Sequence, residues 1–372
     1  MRSFLSFIWS TLKKIDFYLL ALILTASFYG VLLIFSATNS FGTLKLVIIQ
    51  SGAVVAGLFA ICILLMIDYK NLSKFSIYIY GICVIMLVAT LLFGKEVQGN
   101  KNWIELGPIN VQPSEFVKIG FIITFATHIN KVKEYINSPR ALIPLILHFG
   151  VILTLVLLEG DLGTSLVFIF ICIIMLFAAG LHWLYFASGA VVVTAAAPFV
   201  FENLLSNYQQ MRILAVYDPS LDPLGFGYHT LQSKITLGSG GLTGSGLLNG
   251  VQTQYSILPA KQTDFIFSVA GEELGFIGTL LIIILQVLII IRVLYIARHA
   301  RDDIGTLICA GAAAGLFFQA AENIGMCLGL FPVIGITLPF FSYGGSSMLA
   351  SMCLMGVVMS VNADRKGGFF KK

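Results

Sequence analysis

Asp264, with Glu272 and Glu273 behind it, stands where a long polar interval, residues 201–275, gives way to an apolar run. The junction reads Leu258-Pro-Ala-Lys-Gln-Thr-Asp264-Phe-Ile-Phe-Ser-Val-Ala-Gly-Glu272-Glu273-Leu-Gly275. A charge placed where a chain re-enters a bilayer is costly unless it is paired, wetted or used. Asp264 is therefore the first candidate for chemistry. These acids are equally readable as wetted caps at a helix start, where the positive end of the dipole favours them. The residues alone leave both readings open.

Other polar segments accompany it. In Gln112-Pro-Ser-Glu115-Phe-Val-Lys118 the proline suits a helix start, and Glu115 and Lys118, three apart, share a face. Such a pair is either a neutralised structural couple or an acid beside a cation that meets a phosphate at the membrane surface. Leu158-Glu159-Gly160-Asp161-Leu162-Gly163 is a tight turn with two acids. Pro339-Phe-Phe-Ser342-Tyr-Gly-Gly-Ser346-Ser347 leaves backbone N–H groups free at a helix start, a candidate anion nest, although Gly–Ser is also ordinary loop chemistry. The glycine-rich loop segments 217–229 and 232–250, including Gly238-Ser-Gly240-Gly241, are interleaved with Leu, Ile and Tyr, so short helices lying along the membrane face are expected there.

The elements that position these residues follow from composition. The chain has 372 residues, 58% of them hydrophobic and 11% charged, with a mean hydropathy of +0.94. These values identify an all-α integral membrane protein, since the apolar runs are continuous, not alternating as in a barrel. At about 20 apolar residues per crossing, about ten spans are expected, near 17–37, 47–67, 75–94, 114–129, 141–158, 162–180, 183–201, 265–297, 305–329 and 344–362. They form one polytopic domain over 1–372, with a large loop, 202–264, between the seventh and eighth spans. The eighth is long enough to begin outside the membrane or to break near Gly271 or Gly275. A short interfacial segment, Met1–Lys14, precedes the first span.

Basic residues gather on the side of the termini, including Lys70, Lys74, Arg140, Arg292, Arg298 and Arg301. By the positive-inside rule both termini are cytoplasmic and the long loop is extracytoplasmic. The acids lean outward, which favours chemistry at one face over a midplane transport site reachable from both. The net charge of +4 gives no reason to expect nucleic acid. The six cysteines lie in apolar runs without CxxC pairing and the five histidines lack ligand spacing, so neither a disulfide framework nor a metal cluster is expected.

Gln112-Pro-Ser-Glu115, Glu159-Gly-Asp-Leu-Gly163, Gly238-Ser-Gly-Gly241, Thr263-Asp-Phe-Ile-Phe267, Gly271-Glu-Glu273 and Pro339-Phe-Phe-Ser-Tyr-Gly-Gly-Ser-Ser347 together resemble the SEDS (shape, elongation, division, sporulation) family, in order and over nearly the whole chain. Asp222-Pro-Leu-Gly-Phe-Gly-Tyr-His229 and Gln232-Ser-Lys234 look more like its elongation branch than its division branch. The resemblance implies a ten-helix peptidoglycan glycosyltransferase of the bacterial plasma membrane. Such an enzyme polymerises lipid II onto a nascent glycan at the outer face, beside a class B penicillin-binding protein.

It further implies that Asp264 is essential, with Glu115, Lys118 and Arg212 in family-matched positions. Relatives usually carry Arg just before the first-loop Trp, where this chain has Asn102, with Lys101 adjacent as a substitute cation. In that chemistry Asp264 takes the proton of an acceptor sugar hydroxyl while Lys118, Arg212 and Lys261 face the departing diphosphate. Supporting positions are Gln112, Glu159, Asp161, Thr263, Glu272 and Glu273, and Ser342, Ser346 and Ser347 would line the anion site. The residues establish no cofactor; a divalent cation, Mg2+ or Mn2+, is compatible with the chemistry. A lipid-linked precursor transporter and a scaffold for the penicillin-binding protein are the competing readings.

Overall fold

The computed structural model describes residues 15–97, 100–107, 109–203 and 205–367. The interfacial segment expected over Met1–Lys14 lies outside them. Helices occupy every expected span: α1 Phe17–Thr38, α2 Lys45–Ile67, a short α3 Tyr69–Lys74, α4 Ser76–Phe93, α5 Pro113–Val132, α6 Pro139–Leu158, α7 Leu162–Ala178 and α8 Trp183–Asn203. After the long loop come α12 Ile266–Arg298, α13 Asp303–Cys327 and α14 Gly345–Gly367. Among the described residues, eight helices are long and apolar enough to cross a membrane. The chain is thus a multi-pass α-helical membrane protein. α7 is apolar but shorter, and α5 carries Glu115, Lys118 and Lys131.

Caps set the helix starts. Asp16 accepts from Leu19 N–H at 3.1 Å, Asp161 from Thr164 N–H at 2.9 Å and Asp302 from Gly305 N–H at 2.8 Å. Each satisfies an N–H that has no partner within its own helix. Pro113 and Pro139 open α5 and α6, where a missing N–H costs nothing. Asp16 also receives Arg292 at 2.7 Å and Asn362 at 2.9 Å, tying α1 to α12 and α14. Lys70 meets Asp364 at 2.7 Å at that same end of the bundle. The core runs through α1, α5, α12, α13 and α14, while α8 buries no residue.

The structure departs from the sequence expectation between α4 and α5. Between the expected spans 75–94 and 114–129, β1 Lys95–Val97, β2 Asn100–Leu106 and β3 Ile109–Val111 form an antiparallel sheet in order β1-β2-β3. Lys95 pairs with Trp103, and Ile104 with Val111. Three strands this short carry too little periodic pattern to stand out in the sequence.

The long loop is helical, as expected, with α9 Asn207–Tyr217, α10 Phe226–Ser239 and α11 Val251–Gln254. α12 breaks at Gly275, whose φ of 66° and ψ of −161° leave the helical region. A break inside an apolar helix strands donors and acceptors that lipid cannot satisfy. The glycine-rich stretch supplies them: Phe276 N–H donates to Gly241 O at 2.9 Å and Ile277 N–H to Leu242 O at 3.3 Å. In return Ser245 N–H donates to Glu272 O at 3.0 Å and Gly246 N–H to Glu273 O at 2.9 Å. A Cβ at Gly240 would collide with the Gly271 carbonyl, and one at Gly244 with Glu273 backbone. Glycine at these positions therefore permits backbone to lie on backbone.

Candidate active site

Asp264 sits on a turn directly before α12. Thr263 and Asp264 N–H both donate to Ala260 O at 3.1 Å, and Phe265 N–H joins at 3.3 Å. The turn is clamped from two sides. Asn323 Nδ2 on α13 donates to Asp264 O at 2.9 Å and to Ile336 O at 2.8 Å. Ser342 Oγ donates to Thr263 O at 2.7 Å, and Tyr343 N–H to Gln262 O at 2.8 Å. Phe265 and Ile266 are fully buried, whereas Asp264 remains partly exposed. Its flank is Gly335, where even a Cβ would come no nearer to Asp264 Oδ2 than 4.0 Å. A rigid backbone thus presents an accessible carboxylate.

Enclosure by protein raises the Asp264 carboxyl to about 6, against the opposing pull of the Thr263 hydroxyl and the positive charge of Arg212. Arg212, on α9, is buried with its guanidinium over the Tyr208 ring at 4.5 Å and the Phe226 ring at 5.0 Å. Nη2 donates to Tyr208 OH at 2.9 Å, and Nε has no partner. Arg212 therefore keeps donors in reserve. His229, between Phe226 and Phe265, is lowered by burial, with Asp222 opposing and Arg212 reinforcing.

Glu322 of α13 completes the cluster and was not singled out in the sequence. It is 5% exposed, neither carboxylate oxygen has a partner, and it lies within electrostatic range of Asp264. The signal that could have found it is an acid in the body of an apolar span, which is rare without a role.

Glu115 and Lys118 pair at 2.9 Å, both buried. They line a cavity with Ile122, Ile171, Gln319 and Ser351. Gln319 lies three residues before Glu322 on α13, so one helix borders both the Lys118 cavity and the Asp264 cluster.

The remaining candidates lie elsewhere. Lys261 does not face this cluster; it is buried, donating to Ser40 Oγ at 2.6 Å, Thr253 O and Ser256 Oγ. Glu272 accepts Gln252 N–H at 2.7 Å, Thr253 N–H at 3.0 Å and Thr253 Oγ1 at 2.7 Å. Glu273 holds Ser36 and Gln254. These three form an anchor for the loop, because the chain had to bind the end of α11 to α1 and α12.

Ser346 accepts Gln112 N–H at 3.3 Å and donates to Asn110 O at 3.1 Å, and Ser347 pairs with Thr337 at 2.8 Å. Gly344 N–H donates to Gln50 at 3.1 Å. The serines and this N–H are thus spent on the protein itself, not on an open anion nest. The Lys101 side chain is exposed, and Asn102 is buried against Asp161 at 2.8 Å. No group of three or more His, Cys, Asp or Glu able to hold a metal occurs among the described residues.

The chain matches the model of the cell cycle protein family FTSW_RODA_SPOVE over residues 15–367. It is 38% identical over 348 residues to peptidoglycan glycosyltransferase MrdB of Escherichia coli K12, covering 94% of this chain and 93% of the relative. A chain from the structure described as "Structural coordination of polymerization and crosslinking by a peptidoglycan synthase complex" superposes with a TM-score of 0.80 at 29% identity, covering 96% of this chain and 99% of that one. The rod shape determining protein RodA of Thermus thermophilus superposes at 0.71 with 27% identity, covering 94% and 97%. With the family model matched almost end to end and the fold shared with solved relatives, this chain belongs to the FtsW–RodA–SpoVE family of cell cycle proteins.

Proposed function

We propose that the chain is a peptidoglycan glycosyltransferase that polymerises lipid II into glycan strands, with Asp264 as general base and Arg212 and Lys118 as the cations that steady the departing diphosphate. Relatives carrying the glycosyltransferase name over nearly their whole length support the activity. The observation that carries the assignment of the base is the accessible Asp264 carboxylate on a clamped turn, raised to about 6 beside Arg212. Such a group is ionised at neutral pH yet more basic than an ordinary carboxylate.

In the reaction, Asp264 takes the proton of the acceptor sugar hydroxyl as its oxygen attacks the anomeric carbon of the donor. The bond from that carbon to the lipid diphosphate breaks, and the diphosphate leaves with the electron pair. The positive charge of Arg212, felt at Asp264, steadies that developing charge. Lys118, held by Glu115, supplies a second positive charge from the neighbouring cavity. A divalent cation, if bound, would supply further positive charge against the departing diphosphate, and no step depends on it.

The partner we propose is a class B penicillin-binding protein, since a similar chain comes from a complex described as coordinating polymerisation and crosslinking. We place the enzyme in the plasma membrane with cytoplasmic termini and the Asp264 site facing outward, on the strength of the basic bias toward the Lys70 and Arg292 end. The test is purified chain with its partner and lipid II, followed by product length. Long strands support the reading. Lipid II crossing liposomes with no strand formed would support a transporter instead.

A further inference from the structure

The turn between α6 and α7 holds charges that the reaction above does not use. Glu159 ends α6 and Asp161 caps α7, at 2% and 5% exposure. The Asp161 carboxylate is fully engaged. It accepts Thr164 N–H and Thr164 Oγ1 at 2.9 Å, Asn102 Nδ2 at 2.8 Å and Gln112 Nε2 at 3.1 Å. Glu159 is the opposite case, because neither of its oxygens has a donor. Asn102, 7% exposed and anchored to Asp161 through its nitrogen, leaves Oδ1 without a donor as well. Lys101, next along β2, gives the turn only its backbone N–H, to Glu159 O at 2.9 Å. Neither acid forms an ion pair with a Lys or Arg among the described residues.

Buried acceptors without donors, beside two acids without a cation, call for a positive group that the described residues do not provide. We propose that Glu159 and Asn102 Oδ1 bind a hard divalent cation beside the hydrogen-bonded Asp161 carboxylate, with Glu159 as its principal ligand. Carboxylate and amide oxygens are the donors such ions take, with water filling the remaining positions. One ion neutralises both carboxylates and occupies the free acceptors together, whereas a single proton on Glu159 leaves the Asp161 charge in place.

The ion would lock β2 to the α6–α7 turn. From there contacts run through Gln112 and Ser346 to the 339–347 loop, whose Ser342 holds the Asp264 turn. The site is a positioning device, and its test does not depend on glycan synthesis.

The experiment uses full-length protein in detergent, titrated with Tb3+ and read by luminescence sensitised through Trp103, the residue after Asn102. Thermal midpoints are read in parallel with Ca2+, Mg2+ or EDTA. The proposal expects saturable luminescence displaced by Ca2+, with an affinity on the order of 10⁻⁴ to 10⁻³ M, as in extracellular modules, and a midpoint lowered by EDTA. Glu159→Gln is expected to weaken binding at least about 10-fold. Asn102→Arg, which brings a cation in cis, is expected to abolish it while keeping the protein folded. Luminescence unchanged in both variants, or no saturable signal together with no midpoint shift in wild type, overturns the proposal and leaves Glu159 a protonated acid.

Discussion

At the scale of single residues, the site depends on how one carboxylate is shielded. Because Asp264 is raised to about 6 and acts when ionised, polymerisation should hold steady above that pH and fall as pH drops through it. A pH–rate profile of lipid II consumption checks this. Lys118 and Glu115 allow structure and chemistry to be separated. Lys118→Met alone leaves a buried carboxylate uncompensated and should cost about 3–5 kcal/mol of stability. Glu115→Gln with Lys118→Met should recover stability and stay inactive if the lysine serves the diphosphate. Thermal unfolding and strand synthesis on both variants decide it.

The candidate base was legible because Asp264 is a charge at the point where a polar loop gives way to an apolar run. Glu322 was not, since a single acid inside the ninth expected span changes its mean hydropathy little. Lys261 was misleading: three residues from Asp264 in sequence, it points into a different network because the turn at Ala260 redirects the chain.

At the scale of elements, the broken α12 and the loop that repairs it form one unit. Glu272 accepts three hydrogen bonds from Gln252 and Thr253, and Glu272→Ala should cost roughly 2–3 kcal/mol, the value of charged hydrogen bonds lost from a buried site. The 205–264 part of the loop should then become sensitive to limited proteolysis at protease levels that spare wild type. Gly244→Ala should behave alike, because its φ of 78° disfavours alanine and its Cβ meets Glu273 backbone. Helix positions were readable from apolar length, and the break near Gly275 from the excess length of that span. The 95–111 sheet was not, because strands of three to seven residues leave no period to count.

At the scale of the whole molecule, the bundle has two chemically distinct ends. One carries Asp16, Lys70, Arg292, Asp302 and Asp364 in ion pairs and hydrogen bonds. The sheet, the α6–α7 turn and the Asp264 cluster are linked by other contacts through Gln112, Ser346 and Ser342. If the first end is cytoplasmic, Ser220→Cys should react with a membrane-impermeant thiol reagent on intact cells, and Arg301→Cys only after permeabilisation. The reverse pattern would invert the topology argued from the basic residues.

The role of Asp264 as base is decided by strand synthesis from lipid II with purified Asp264→Asn protein and its partner, beside wild type of matched thermal midpoint. The variant should lose at least about 100-fold in strand synthesis while still folding. Long glycan strands made by that variant at the wild-type rate would contradict it.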